Sequence, residues 1–201
     1  MQSTETPVAL SIILLNIVLT VYVWYSKKDI FPQLALHPYS IVHYNRWYMM
    51  LTSGFVHANL MHLAFNMLTL YFFAISIPLE NILGRLKFVL IYFISLIISN
   101  ISTIIKNRNN PNYFAVGASG AISGVLFSFI IYDIFVLGSK AKLGIILLPI
   151  PMPSWIFGIL YLIYCILASK YSKDLINHEA HFWGAISGII LTLVLKPEII
   201  F

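Results

Sequence analysis

The chain has 201 residues, of which 60% are hydrophobic and 9% charged, and its mean hydropathy is +0.88. Soluble domains run nearer half apolar and about a quarter charged, so this composition excludes a soluble globule and requires apolar surface that faces lipid. The formal net charge of +5 is spread over short connections with no basic block, which excludes a nucleic-acid binder and leaves lipid headgroups to meet the loop cations.

Stretches of about 20 apolar residues cross a bilayer as helices. Read by that rule, the chain is a single all-α membrane domain over 1–201 with six spans, at about 8–25, 58–79, 86–105, 114–137, 154–169 and 180–196. The first is preceded by Glu5 and followed by Trp24, Tyr25, Ser26, Lys27 and Lys28. A secretory signal carries the reverse pattern, with basic residues before and a small-residue cleavage site after. Span one therefore reads as a retained helix with an aromatic interface anchor. Two connections are long. Ser26 to Tyr48 is polar and aromatic, with His37, His43, Arg46 and Trp47. Gly138 to Pro153 ends in Leu-Pro-Ile-Pro-Met-Pro at 148–153, where the prolines break any helix, so span five restarts at Ser154 or Trp155. Cys165, the single cysteine, has no intrachain disulfide partner and is silent on redox compartment.

Polar side chains inside a span are costly and mark function by default. Span two opens with His57-Ala-Asn-Leu-Met-His62-Leu-Ala-Phe-Asn66, span four with Gly117-Ala-Ser119-Gly120, and span six with His178-Glu-Ala-His181. Spans alternate in direction, so two, four and six all start at the same membrane face. Ser119, His62, His181 and Asn66 thus converge at one depth. His62 and Asn66, four apart, share a helical face. Gly120 and Gly124 form one GxxxG, and Gly184 and Gly188 another; such spacing lets helix backbones approach closely in lipid and would press span four against span six, Ser119 toward His181.

A serine hydroxyl becomes a nucleophile when a base takes its proton, and neutral imidazole is the usual base at pH 7. Acyl transfer also needs donors for the developing oxyanion, here the Ser119 N–H with the His62 and Asn66 side chains. Singly, each residue has a plainer reading: Ser119 bonded to its own backbone, His62 and Asn66 as interhelical ties, His57 and Asp133 at the interface, and His37, His43 and His178 as loop residues. Only the joint placement calls for chemistry. A zinc protease would need His-Glu-x-x-His, and an aspartyl protease two intramembrane aspartates; the aspartates are Asp29, Asp133 and Asp174. Glu179 points away from His181, so a serine–histidine dyad is the economical reading.

These residues resemble the rhomboid intramembrane serine proteases. The resemblance rests on His57-x4-His62-x3-Asn66, Gly117-Ala-Ser119-Gly120 and Ala180-His181-x-x-Gly184. It extends to Arg46-Trp47, Glu80-x-x-Leu-Gly84 and Ile150-Pro-Met-Pro-Ser-Trp155. The resemblance implies a six-helix bundle of the minimal bacterial type. Ser119 would be the nucleophile, His181 the base, and His62, Asn66 and the Ser119 N–H the oxyanion hole, with His57 and Gly117 close by. It implies no metal or cofactor, transmembrane proteins as substrates, and a multi-pass place in a bacterial inner membrane with the site facing outward. The competing reading is a rhomboid-like pseudoprotease that binds transmembrane helices without cutting them. One position departs from the family: the aromatic expected four residues after the nucleophile is Ser123, and Phe65 or Trp183 is the expected replacement against His181.

Overall fold

The computed structural model describes residues 5–145, 148–172, 174 and 176–199. Its first helix, α1 (Pro7–Tyr25), starts with proline at the first helical position, where the missing N–H costs nothing. The carboxylate of Glu80 accepts from the N–H groups of Val8 (3.2 Å) and Ala9 (2.8 Å), and Arg85 Nε approaches it to 3.6 Å. A buried anion at the positive end of a helix is thereby both paired and hydrogen-bonded. Glu80 sits in α6 (Leu79–Leu83), so this contact ties the entry of α1 to the connection between the second and third spans.

The long polar connection after α1 is structured. Three short helices, α2 (Phe31–Leu34), α3 (Pro38–Tyr44) and α4 (Met49–Thr52), lead into a 3₁₀ turn at Ser53–Phe55. Leu36, Ile41 and Met49 close over Ile104 in a small apolar cluster. Leu36 and Ala115 exchange both backbone hydrogen bonds, at 2.8 and 3.0 Å. The connection therefore lies beside the segment that leads to Ser119.

Span two, expected at 58–79, is α5 (Leu60–Tyr71) continued by a π-helical turn at Phe72–Ser76. Together with Met49–Phe55 it makes one apolar path bent by 92°. α7 (Arg85–Asn107), α9 (Ser154–Tyr171) and α10 (His178–Leu195) are, with α1, long and apolar enough to cross a membrane. With them the chain is a multi-pass integral membrane protein. α8 (Ser119–Phe135) corrects the span expected over 114–137: it has 17 residues and begins at the serine itself. At about 1.5 Å per residue such a helix falls short of a hydrocarbon layer roughly 30 Å thick, so when one end reaches an interface the other starts below the surface.

α8 is the core of the bundle, buried along nearly its whole length. The small residues explain how it is enclosed. A Cβ on Gly184 or Gly188 would land on the backbone of Gly120 or Gly124, whereas a Cβ on Gly120 or Gly124 would meet the side chains of Ser99 or Ser95 on α7. The two GxxxG motifs thus serve different contacts: the pair on α10 faces the α8 backbone, and the pair on α8 faces α7. Ser187 Oγ donates to Ser95 Oγ (2.7 Å), and Thr192 Oγ1 donates to Ser128 Oγ (2.7 Å), closing the seam with hydroxyls. Gly184→Val and Gly188→Val should therefore be the most damaging of the four, since no backbone atom can swing aside. Overpacking of this kind costs about 1–3 kcal/mol, read as a lower melting temperature in detergent. Gly120→Ala should cost less, and Ser99→Gly beside it should return part of the loss; equal melting temperatures for Gly184→Val and the parent would show the contact to be misplaced.

The segment after α8 departs from the all-α expectation. Two strands, β1 (Lys142–Ile145) and β2 (Leu148–Pro153), pair antiparallel, with Lys142 opposite Pro153 and Leu143 opposite Met152. β2 carries Pro149, Pro151 and Pro153, which have no N–H to pair, and its register against β1 slips between Leu143 and Ile145; a two-stranded ribbon tolerates this. Asp133, expected at the interface, is fully buried. Its carboxylate accepts from the Ala141 N–H (2.9 Å) and from the Ser154 hydroxyl. The end of α8 is thereby fastened to the start of α9, with β1 and β2 between them.

Candidate active site

Each of α5, α8 and α10 delivers a polar residue from its first turn. Asn59 caps α5 by accepting from the His62 N–H (2.9 Å), and Asn177 caps α10 by accepting from the Ala180 N–H (3.1 Å); both are ordinary Asn N-caps. Asn177 also donates to Thr103 Oγ1 on α7 (2.7 Å), which fixes where α10 begins. Ser119 is the first residue of α8, so its N–H has no partner within the helix.

Ser119 Oγ lies 2.7 Å from His181 Nε2. Gly117 precedes the serine with φ +118°, a left-handed conformation open to glycine. Its bare Cα is also required, because a Cβ there would stand 2.6 Å from Cε1 and Nε2 of His62. The His62 imidazole is thus laid against the backbone two residues before Ser119. Asn66, on the next turn of α5, is buried and donates through Nδ2 to the His62 carbonyl (2.9 Å). An amide carries two N–H donors, so this bond occupies one of them. A cavity of about 20 Å³, lined by Ser53, Ser99, Asn100, Asn177 and Ser119 among others, adjoins the serine and has room for about one water.

His57, expected at the interface, is fully buried. Its Nδ1 is 3.1 Å from the Thr20 hydroxyl, Trp24 Nε1 donates to its carbonyl (2.9 Å), and its ring meets that of His62 edge-on at 5.0 Å. Through His57, α1 props the imidazole of His62. His178 is likewise a buried helix residue rather than a loop residue. His37 lies apart from the serine, stacked on Phe114 at 4.2 Å, and His43 packs on Tyr39.

Neither Phe65 nor Trp183 supplies the aromatic against His181; both are exposed. Tyr161, on α9, stacks on the His181 ring at 6.4 Å between centroids and 20° between planes. Its hydroxyl is 2.7 Å from Ser123 Oγ, which donates to the Ser119 carbonyl (2.9 Å). A serine at 123 leaves the space and the hydroxyl that a tyrosine from the next helix fills. Nothing in the local sequence marks Tyr161, because its partner positions are 38 residues upstream and 20 downstream. Tyr161→Phe keeps the stack and loses one hydrogen bond, worth about 0.5–1.5 kcal/mol, so turnover should fall about two- to tenfold, and Ser123→Ala should match it. Tyr161→Ala also loses the ring contact, worth a similar amount, and should fall by up to about a hundredfold. Parent-like kcat in Tyr161→Ala would remove it from the site.

Residues 44–198 match the rhomboid domain family model. YdcA, a candidate rhomboid protease of Bacillus subtilis (strain 168), is 31% identical over 151 residues, 74% of this chain and 67% of its own length. The presenilin-associated rhomboid-like mitochondrial protein of Rattus norvegicus is 34% identical over 146 residues, 70% of this chain but 36% of its own. The chloroplastic rhomboid-like protein 11 of Arabidopsis thaliana is 27% identical, and this chain spans 53% of it. The chain thus spans about a third to two thirds of these relatives. The matched region holds His57, His62, Asn66, Ser119 and His181. The chain belongs to the rhomboid family.

Proposed function

We propose that this protein is an intramembrane serine protease that hydrolyses peptide bonds in or near transmembrane segments of other membrane proteins, with Ser119 and His181 as a catalytic dyad. The observation that carries the reading is the 2.7 Å approach of Ser119 Oγ to His181 Nε2 at the start of a helix too short to bring that serine to the surface. Ser119 Oγ attacks the scissile carbonyl carbon as His181 Nε2 takes its proton. The carbonyl oxygen becomes an oxyanion that accepts hydrogen bonds from the Ser119 N–H, His62 and Asn66. His181 returns the proton to the departing amine, and water, drawn through the small polar cavity beside the serine, then releases the acyl group by the same route.

The six-span minimal architecture over 1–201 and a bacterial inner membrane with the site outward belong to the same proposal; the Bacillus relative supports the bacterial membrane alone. Mitochondrial and chloroplast relatives place the family in other membranes as well. The pseudoprotease reading has no observation of its own in its favour, since a pure helix binder needs no serine within hydrogen-bond reach of an imidazole. The test is incubation of the purified protein in lipid with a generic transmembrane substrate and, separately, with a fluorophosphonate probe. The expected result is cleavage and labelling at Ser119, both lost in Ser119→Ala; labelling that persists in Ser119→Ala overturns the assignment.

A further inference from the structure

A buried histidine stands beside the dyad and takes no part in it. His178 opens α10 one turn before His181 and is 3% exposed. Its Nε2 lies 3.0 and 3.1 Å from the two carboxylate oxygens of Asp174. Its Nδ1 is buried without a hydrogen-bond partner. Its ring stands edge-on to that of His181, 6.0 Å between centroids and 85° between planes. Asp174 is itself held in place: Ser172 Oγ donates to Oδ2 (2.7 Å) and the Ile176 N–H to Oδ1 (3.0 Å). These bonds, the Ser172 hydroxyl first, lower its pKa to about 2, so it is an anion throughout the working range of pH.

A carboxylate, an imidazole and the imidazole of the dyad thus stand in a row. The proton on His178 Nε2 belongs to the Asp174 contact, since a carboxylate only accepts. A second proton on Nδ1 would be a buried donor with no acceptor, which costs more than a vacant lone pair. The neutral Nε2–H tautomer fits the site, and the charge presented toward His181 is then the net negative one of Asp174. When His181 takes the proton of Ser119 it becomes a cation in a medium of low dielectric, where a nearby anion is felt strongly.

We infer that Asp174 and His178 are positioning residues for His181: Asp174 orients His178, His178 braces the His181 ring, and the carboxylate stabilises the positive charge His181 acquires. This rests on the reading of His181 as the base. The other groups facing the pair are Tyr164 on α9, edge-on to His178 at 5.3 Å, and Glu179, which is paired with Lys106 on α7 at 2.7 Å. His181 is faced by Tyr161 on α9, by Ser119 on α8, and electrostatically by His62 on α5. None of these places a second unpaired anion near His181.

The experiment is the pH dependence of fluorophosphonate labelling of Ser119 in the purified, lipid-reconstituted protein, with kcat on a transmembrane substrate alongside. Labelling of the parent with an acid limb establishes the base, and absence of labelling in the parent strikes at the dyad rather than at this inference. Removing an anion makes the His181 cation less stable, so the acid limb in Asp174→Asn should move to lower pH by about half a unit to one unit. The weaker base should also lower the plateau rate about two- to fivefold. Asp174→Glu, which keeps the charge, should restore the limb. His178→Phe keeps the packing and breaks the link, and the Asp174→Asn/His178→Phe double variant should be no worse than the poorer single one. A limb that stays in place in Asp174→Asn overturns the inference. So does parent-like behaviour of His178→Phe, which keeps a readout available should Asp174→Asn fail to fold.

Discussion

His181→Ala is expected to lower kcat by about 10⁴- to 10⁶-fold, the range seen when the base of a serine hydrolase is removed, with KM changed by less than about threefold. The physical reason is the acidity of the nucleophile. A serine hydroxyl with no acceptor for its proton must expel it into a site that excludes bulk water, and the 2.7 Å contact with Nε2 is what avoids this. That nitrogen is taken up by the serine in the resting protein, so ground-state binding should stay nearly intact. Ser119→Ala should be as damaging, and the double variant no worse than either single one, because two groups that act as one unit are lost together. The measurement is kcat and KM for the three variants in lipid, beside melting temperatures that show each to be folded. His181→Ala retaining more than about one hundredth of parental turnover would falsify the dyad.

The order of the membrane segments was legible because lipid imposes one rule on every span: apolar outward, backbone bonds satisfied within the helix. Counting crossings predicts Ser119, His62 and His181 at a single face, and in the structure each lies in the first turn of its helix. Where the rule does not apply, the reading was poorer. The β1–β2 pairing carries no sequence signal because a proline run and a strand conflict in a central sheet yet coexist in a two-stranded ribbon. Span four starts five residues later than its apolar run suggests: Phe114 to Ala118 are apolar or small, but Ala115 pairs with Leu36 and Gly117 turns the chain before the helix.

Burial was harder to read than topology. Asp133 and His57 look like interface residues and His178 like a loop residue, and each is buried because a particular partner meets it: Ser154 and the Ala141 N–H, Thr20, and Asp174 respectively. Such partners are set by helix packing and carry no local signature. Tyr161 is the sharpest case. The missing aromatic at 123 was visible, but its replacement sits on a helix whose rotation about its own axis no periodicity reports. α9 also carries Tyr164 against His178, so one face of this helix touches both histidines of α10, and the proposed dyad is packed against α9.

Asn66→Ala should lower kcat by about a hundred- to a thousandfold, some 2.7–4 kcal/mol of transition-state stabilisation, and raise KM much less. An oxyanion donor is used only when the carbonyl oxygen carries charge, so its loss is felt in the transition state and not in substrate binding. In the resting protein Asn66 Nδ2 donates to the His62 carbonyl, one of the two N–H groups an amide offers, which leaves the other for the oxyanion. His62→Ala should behave alike, because the imidazole braced by His57 and by the bare Cα of Gly117 is held on the nucleophile's side of α5. If both serve one oxygen, the double variant falls short of the sum of the two losses. A scaffolding role makes a different pattern: Asn66→Ala frees the His62 carbonyl and His62→Ala opens a gap beside Gly117, so melting temperature in detergent drops and turnover tracks the folded fraction. The deciding measurement is kcat, KM and melting temperature for both single variants and the double. Near-parental kcat in well-folded Asn66→Ala and His62→Ala proteins would take both residues out of the oxyanion hole and leave the Ser119 N–H as its one proposed donor.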